Sequence, residues 1–284
     1  MSRALVLSGG GPVGIAWQTG LAAGLAAAGV DLADADLFVG TSAGSAVGAQ
    51  VALGRDMGAQ VERLRDAATR RGAEAPSESR GGPRRGPGLA GLMGIMGSVA
   101  GLEPEERLRK IGRFALDAET GPEEDFIGTF SYLRGQGWPT PFVCTAIDAE
   151  TGKFVTWGAD AGVEVDRAVA SSCAVPGIFP PITIAGRRYI DGGMRSVTNA
   201  DLAAGHDRVL ILSVVAGRVN TSASEEAALR EAGSTVATIA PDDKFTAAIG
   251  MNLMDGSKTA DAVELGLAQG EREAAEWRSF WCDT

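Results

Sequence analysis

The chain has 284 residues, 45% of them hydrophobic and 22% charged, enough for one large domain with a substantial core. A net charge of −10 gives little counterion-release drive toward nucleic acid, which argues against that class of partner. The three cysteines, Cys144, Cys173 and Cys282, have neither the even count of a disulfide framework nor the spacing of metal ligands, and they fit a reducing, cytoplasmic setting. The N-terminal stretch lacks a signal-peptide core, and no uninterrupted run of about 20 apolar residues predicts a membrane span.

Ala4-Leu5-Val6-Leu7 is a continuous apolar run ending in glycines and predicts a strand buried on both faces. Ile15 to Ala28 reads as a helix, with Gly29 placed as its C-terminal cap. A second short strand, Leu37-Phe38-Val39, leads into Gly40-Thr41-Ser42-Ala43-Gly44, and Ala43 to Leu53 reads as a buried helix. This strand–turn–helix unit, used twice, predicts an α/β fold with a mostly parallel central sheet flanked by helices. Residues 72–101 change character: a basic Gly/Pro stretch containing Arg84-Arg85 precedes an apolar segment, Leu89 to Leu102, broken by glycines. The segment reads either as a surface connector followed by a core helix or as a mobile, lipid-contacting lid, with helices flanking it at 56–71 and 103–117.

Phe142–Ile147 and Lys153–Trp157, joined at Thr151-Gly152, predict a hairpin at a sheet edge. A helix near 165–173 precedes the proline-rich Val175–Pro181, and a second hairpin, Ile182–Ile184 with Arg188–Ile190, ends in Asp191-Gly192-Gly193. Val209–Val214 is the clearest buried strand of the second half, and a C-terminal helix around 258–277 covers the sheet. No internal repeat or linker divides the chain, so residues 1–284 are expected to form a single domain.

Two glycine-rich turns carry the chemistry. Gly40-Thr41-Ser42-Ala43-Gly44 has the G-x-S-x-G pattern of a nucleophile elbow, which presents a serine hydroxyl at the carboxyl edge of a sheet. Alone the pattern is weak: with 40 glycines in the chain it arises by chance about 0.3 times, and a tight turn with a capping serine would look the same. Gly9-Gly10-Gly11-Pro12-Val13-Gly14 offers consecutive backbone N–H groups at a helix N-terminus, the geometry that stabilises an anion. Ser42 needs a proton acceptor. The one histidine, His206, precedes a strand, whereas sites in open α/β sheets gather at the carboxyl ends, so a Ser–His–Asp triad is disfavoured. Asp191, at a strand end and followed by two glycines, is the remaining candidate base, although Asp-Gly is also an ordinary turn pair.

These pieces together resemble the patatin-like phospholipase family. Gly9–Gly14 matches its oxyanion loop, Gly40–Gly44 its elbow, Ala170–Pro181 its small-residue and proline segment, and Asp191-Gly192-Gly193 its dyad aspartate, in order from residue 4 to about residue 215. The resemblance implies a three-layer α/β/α fold with a Gly-rich lid-like insertion. It implies a Ser42–Asp191 dyad acting through an acyl-enzyme, with backbone donors from Gly9, Gly10, Gly11, Gly14 and Ala43. It implies a lipid or other acyl-ester substrate, peripheral membrane contact, and no metal or organic cofactor. Val13 stands where many members carry Arg or Lys, which argues against a preference for strongly anionic substrates. Apolar residues of Leu89–Leu102 and Ile178-Phe179 are candidates to line an acyl channel.

Three other readings use the same residues. Acyl transfer to an acceptor other than water shares the first half-reaction, and a catalytically quiet scaffold shares the fold. Gly9, Gly11 and Gly14 also satisfy the dinucleotide fingerprint, but that fold wants an acid at the end of the second strand, and Asp31, Asp34 and Asp36 all precede it.

Overall fold

The computed structural model describes residues 1–73, 87–215 and 223–282. The first half of the chain runs β1 (Arg3–Leu7), α1 (Gly11–Ala27), β2 (Leu37–Gly40), α2 (Ala43–Ala52), α3 (Met57–Ala73), α4 (Gly88–Ser98), α5 (Pro104–Asp117) and α6 (Glu123–Gly128). It continues with β3 (Phe142–Asp148), β4 (Phe154–Trp157), α7 (Val165–Ser172), β5 (Ile182–Ile184), β6 (Arg187–Asp191) and β7 (Arg208–Leu212). It ends with α8 (Ala223–Glu231), β8 (Thr235–Ile239), α9 (Asp243–Ile249) and α10 (Thr259–Cys282).

The strands form one sheet in the order β5-β6-β3-β2-β1-β7-β8, with β4 beside β3. β3, β2, β1, β7 and β8 run parallel, whereas β4 and β6 lie antiparallel to β3 and β5 antiparallel to β6. Alternation along the parallel strands separates two apolar layers, as a period of two requires. Leu5, Leu7, Leu210 and Leu212 face the main core with α1 and α10, while Ala4, Val6, Val209 and Ile211 pack on the opposite side against Ala200, Ala203 and Leu229. Helices on both faces make this a three-layer α/β/α fold, as expected.

The tightest helix pair is α1 with α10. A methyl group on Gly20 or Gly24 would fall 2.1 or 2.3 Å from the carbonyl oxygens of Val263 and Leu267. On the other helix, a methyl on Gly266 or Gly270 would meet the Trp17 and Leu21 oxygens at 2.3 and 2.5 Å. Each helix thus offers a four-residue glycine spacing to the other's backbone. The buried Trp17 indole next to them donates to Gln269 Oε1 at 3.2 Å.

Two expectations change, and one region gains elements. The Phe142–Trp157 hairpin is not at an edge: β3 pairs with β2 through Phe142–Cys144, and its outer half carries both β4 and β6. A seven-residue strand is long enough to serve three neighbours. The helix after the basic stretch is not a core helix either. Of the α4 side chains only Leu92 is buried, while Leu89, Met93 and Met96 are exposed. The Arg84-Arg85 pair beside it lies outside the described residues. Finally, α8, β8 and α9 fill a region that sequence reading left unassigned. β8 is a partly exposed edge strand, so its apolar signal is diluted.

Candidate active site

Ser42 sits between β2 and α2 with φ 51° and ψ −119°, a left-handed conformation that costs a non-glycine residue roughly 1–3 kcal/mol. The flanking glycines are what permit this turn. A methyl on Gly44 would lie 2.0 Å from the Leu7 carbonyl oxygen, and one on Gly40 would lie 2.5 Å from Ser45 Cα. The strain is held by hydrogen bonds that anchor both sides of the residue. Ser42 N–H donates to Ser172 Oγ at 3.0 Å, and the Ser42 carbonyl accepts from Ser45 Oγ at 2.7 Å and from Cys173 Sγ at 3.1 Å. Burial, then the nearby Asp191 charge, pushes the Cys173 thiol far up, so it stays protonated as a donor.

Sheet register explains how Asp191 reaches the elbow. Gly40 is level with Cys144 of β3, and Asp191 is level with Ala146, two residues further toward the carboxyl edge. Asp191 therefore lies at the height of Ser42. Both are buried, at 2% and 6% exposure. Burial pushes the Asp191 carboxyl up to about 7, against hydrogen bonding from the Ser42 side chain and the Gly193 N–H, which hold it down. The Gly193 bond is 2.7 Å. Gly192 is pressed against β3, where a methyl would meet Thr145 Oγ1 at 2.2 Å. Behind the pair, Asn199 Nδ2 donates to Thr41 Oγ1 at 3.0 Å and to the Ser196 carbonyl at 2.8 Å, and the Thr41 and Thr145 hydroxyls bond at 3.1 Å. This network joins the elbow, β3 and the loop after Asp191.

The N-termini of α1 and α2 converge on the same edge, where their dipoles favour negative charge. No described residue accepts from the N–H groups of Gly10, Gly11 or Ala43. Gly9 and Gly14 differ. Gly9 N–H donates to the Val197 carbonyl at 2.8 Å, and Gly14 N–H closes a helical bond to Gly10 at 2.8 Å. Both glycines thus leave the set of free donors and serve close packing, Gly14 lying under the Ala43 methyl and Gly9 under Ser42 Cβ. Val13 is fully buried in the main core, a position suited to an apolar side chain.

A cavity of about 530 Å³ opens beside Ser42 and is largely apolar. One wall is aromatic: Phe126 stacks on Phe179 at 4.3 Å between centroids and meets Phe130 edge-on at 5.5 Å. Phe179 lines the cavity as expected, but Ile178 and the Leu89–Leu102 segment do not. The residue just before that segment, Gly88, donates its N–H to the carbonyl of Gly177 at 3.0 Å, and Gly177 lies in the chain between the lining residues Val175 and Phe179.

His206 precedes β7, whose Arg208 is level with Arg3 at the start of β1. It is thus at the amino edge, a strand length of about 17 Å from the edge carrying Ser42. Its ring nitrogen contacts the Ala203 carbonyl at 3.1 Å. Of the acids before β2, Asp36 is at that edge as well, accepting from Arg3 N–H at 2.7 Å. Sequence reasoning missed Ser172, Asn199 and Thr145. Of these, Ser172 lay within the Ala170–Pro181 segment and Thr145 within the expected Phe142–Ile147 strand, and Asn199 lay in neither.

The chain matches the family model for patatin-like phospholipase over residues 5–204. A comparison with curated proteins finds no match. Among solved structures, VipD from Legionella pneumophila is similar at 13% identity and a TM-score of 0.45, with 97% of this chain and 67% of that one covered. ExoU, in the ExoU–SpcU complex of the type III secretion system of Pseudomonas aeruginosa, is similar at 20% identity and a TM-score of 0.43, covering 98% of this chain and 52% of that one. The chain therefore spans about two thirds of VipD and about half of ExoU. With the match spanning residues 5–204, a range that includes both glycine turns and Asp191, this chain belongs to the patatin-like phospholipase family.

Proposed function

We propose that the protein is a serine lipid acyl hydrolase that works through a Ser42–Asp191 dyad. The observation that carries this reading is the strained Ser42 turn, placed level with a buried Asp191 and at the mouth of an apolar cavity. Ser42 Oγ attacks the ester carbonyl while its proton passes to Asp191. The tetrahedral oxygen is held by the N–H groups of Gly10, Gly11 and Ala43, each such donor being worth about 10²–10³-fold in rate. Asp191 then returns the proton to the leaving alcohol, and it later accepts one from the water that hydrolyses the acyl-enzyme. A carboxyl lifted to about 7 suits this role, since a general base works best when its pKa lies near the operating pH.

The acyl chain occupies the cavity, whose size falls within the usual range of about 300–1,000 Å³ for ligand sites. Exposed Leu89, Met93 and Met96 on α4 support contact with a lipid surface. Among the described residues no helix is long and apolar enough to cross a membrane.

The test is a rapid acid quench during hydrolysis of a p-nitrophenyl ester, followed by peptide mapping. The expected result is an acyl adduct on the peptide containing Ser42, absent in Ser42→Ala. Turnover without that adduct, or unchanged in Ser42→Ala, would remove the reading.

A further inference from the structure

The cavity beside Ser42 carries polar groups that acyl transfer does not use. Thr19 on α1 and Gln50 on α2 both line it, and they are 1% and 5% exposed. Gln50 Nε2 donates back to the Ala46 carbonyl at 3.0 Å, but no described residue bonds to Gln50 Oε1 or to the Thr19 hydroxyl. The hydroxyl of Tyr132, on the same lining, also has no described partner. Both atoms face the open space of one cavity rather than the packed interior, which leaves an acceptor and a hydroxyl there for a ligand atom to pair with.

Their depth follows from the helices. Gly11 opens α1 and Thr19 is eight residues along it, while Ser42 caps α2 and Gln50 is eight residues beyond. Both helices start at the catalytic edge and pack side by side. At 1.5 Å per residue, the two polar groups lie about 12 Å inward from the catalytic end. An extended chain advances about 1.2 Å per bond, as three bonds of extended peptide span about 3.5 Å, so 12 Å corresponds to about ten bonds.

We infer that this cavity selects medium-length acyl chains, about ten carbons long, that carry a hydroxyl at the far end. That hydroxyl donates to Gln50 Oε1 and accepts from the Thr19 hydroxyl, while the aromatic wall holds the methylenes between. The inference rests on the proposed hydrolase reading for placing the acyl carbonyl at Ser42. A site built to bond a hydroxyl rejects the analogue lacking it, because its own buried polar groups are then left unpaired.

The experiment is calorimetric binding of methyl 10-hydroxydecanoate and methyl decanoate to the Ser42→Ala protein, repeated with Thr19→Val and with Gln50→Met added. Both added substitutions keep side-chain volume, and near-UV circular dichroism confirms their folding. The hydroxylated ester should bind about tenfold more tightly, with the advantage reduced to about twofold or less in each added variant. Equal binding of the two esters, or a preference that survives both substitutions, overturns the inference. Wild-type turnover of the same esters separates the two claims. Binding preference without any turnover sinks the hydrolase reading alone, and turnover without preference sinks the selectivity alone.

Discussion

Replacing Asp191 by Asn should abolish turnover and yet make the protein more stable above neutral pH. The carboxyl is buried, and burial raises it from 3.8 in the unfolded chain to about 7 in the fold. Between those values the folded state keeps a proton that the unfolded state has lost. Stability therefore falls as pH rises through this window and levels off above about 7. A rise of roughly three units corresponds to roughly 4 kcal/mol of native-state destabilisation once the group is charged. Asn has nearly the same shape, keeps an oxygen to accept from Gly193 N–H, and cannot ionise. The assay is urea unfolding of wild type and Asp191→Asn at a series of pH values from about 4 to about 8.5. Taking the difference between the two proteins cancels the titration of every other carboxylate. The variant should gain several kcal/mol relative to wild type across that range, with most of the gain between about 4 and 7. A difference that is flat with pH, or that favours wild type at high pH, would refute the account of Asp191 as a buried base whose charge destabilises the fold.

The same carboxyl sets the pH profile. kcat/KM should fall about tenfold per unit below about 7 and stay level above it, as measured with a neutral ester substrate. His206→Ala should retain wild-type turnover within about twofold, since the ring lies at the opposite edge of the sheet; a large loss would restore the triad. Gly44→Ala places a methyl 2.0 Å from the Leu7 carbonyl oxygen and should cost about 3 kcal/mol or more in denaturant unfolding. Changing Leu89, Met93 and Met96 together to Ser should lower co-sedimentation with phospholipid vesicles several-fold while leaving thermal stability nearly unchanged, because these side chains are exposed.

Much of the site was legible because its chemistry depends on glycine and on local turns. The G-x-S-x-G turn leaves no room for a side chain where Gly44 meets β1 and where Gly40 meets the first turn of α2, and that requirement is written within five consecutive letters. Asp191 could be placed at a strand end by the same local reasoning. What could not be read is what depends on register. Whether Asp191 reaches Ser42 is decided by β3, which sets Gly40 and Asp191 two residues apart in height, and pairings such as Gly40 with Cys144 and Ala146 with Asp191, far apart in the chain, leave no local mark. The donors of the oxyanion loop show the same limit. Gly9 and Gly10 are alike in sequence, and only the Val197 carbonyl, from a distant loop, takes the Gly9 N–H and leaves the Gly10 N–H free. The α1–α10 glycine interlock was missed for a related reason. Gly20, Gly24, Gly266 and Gly270 read individually as weak points in helices, and they become packing surfaces only when the two helices meet.

The most direct test of the dyad is intact-mass analysis after treatment with a fluorophosphonate probe. Wild type and His206→Ala should each gain one probe mass per chain, Ser42→Ala should gain none, and Asp191→Asn should label far more slowly if at all. Absence of labelling in folded wild type, or full-rate labelling of Asp191→Asn, would contradict the claim that Ser42 is a nucleophile activated by Asp191.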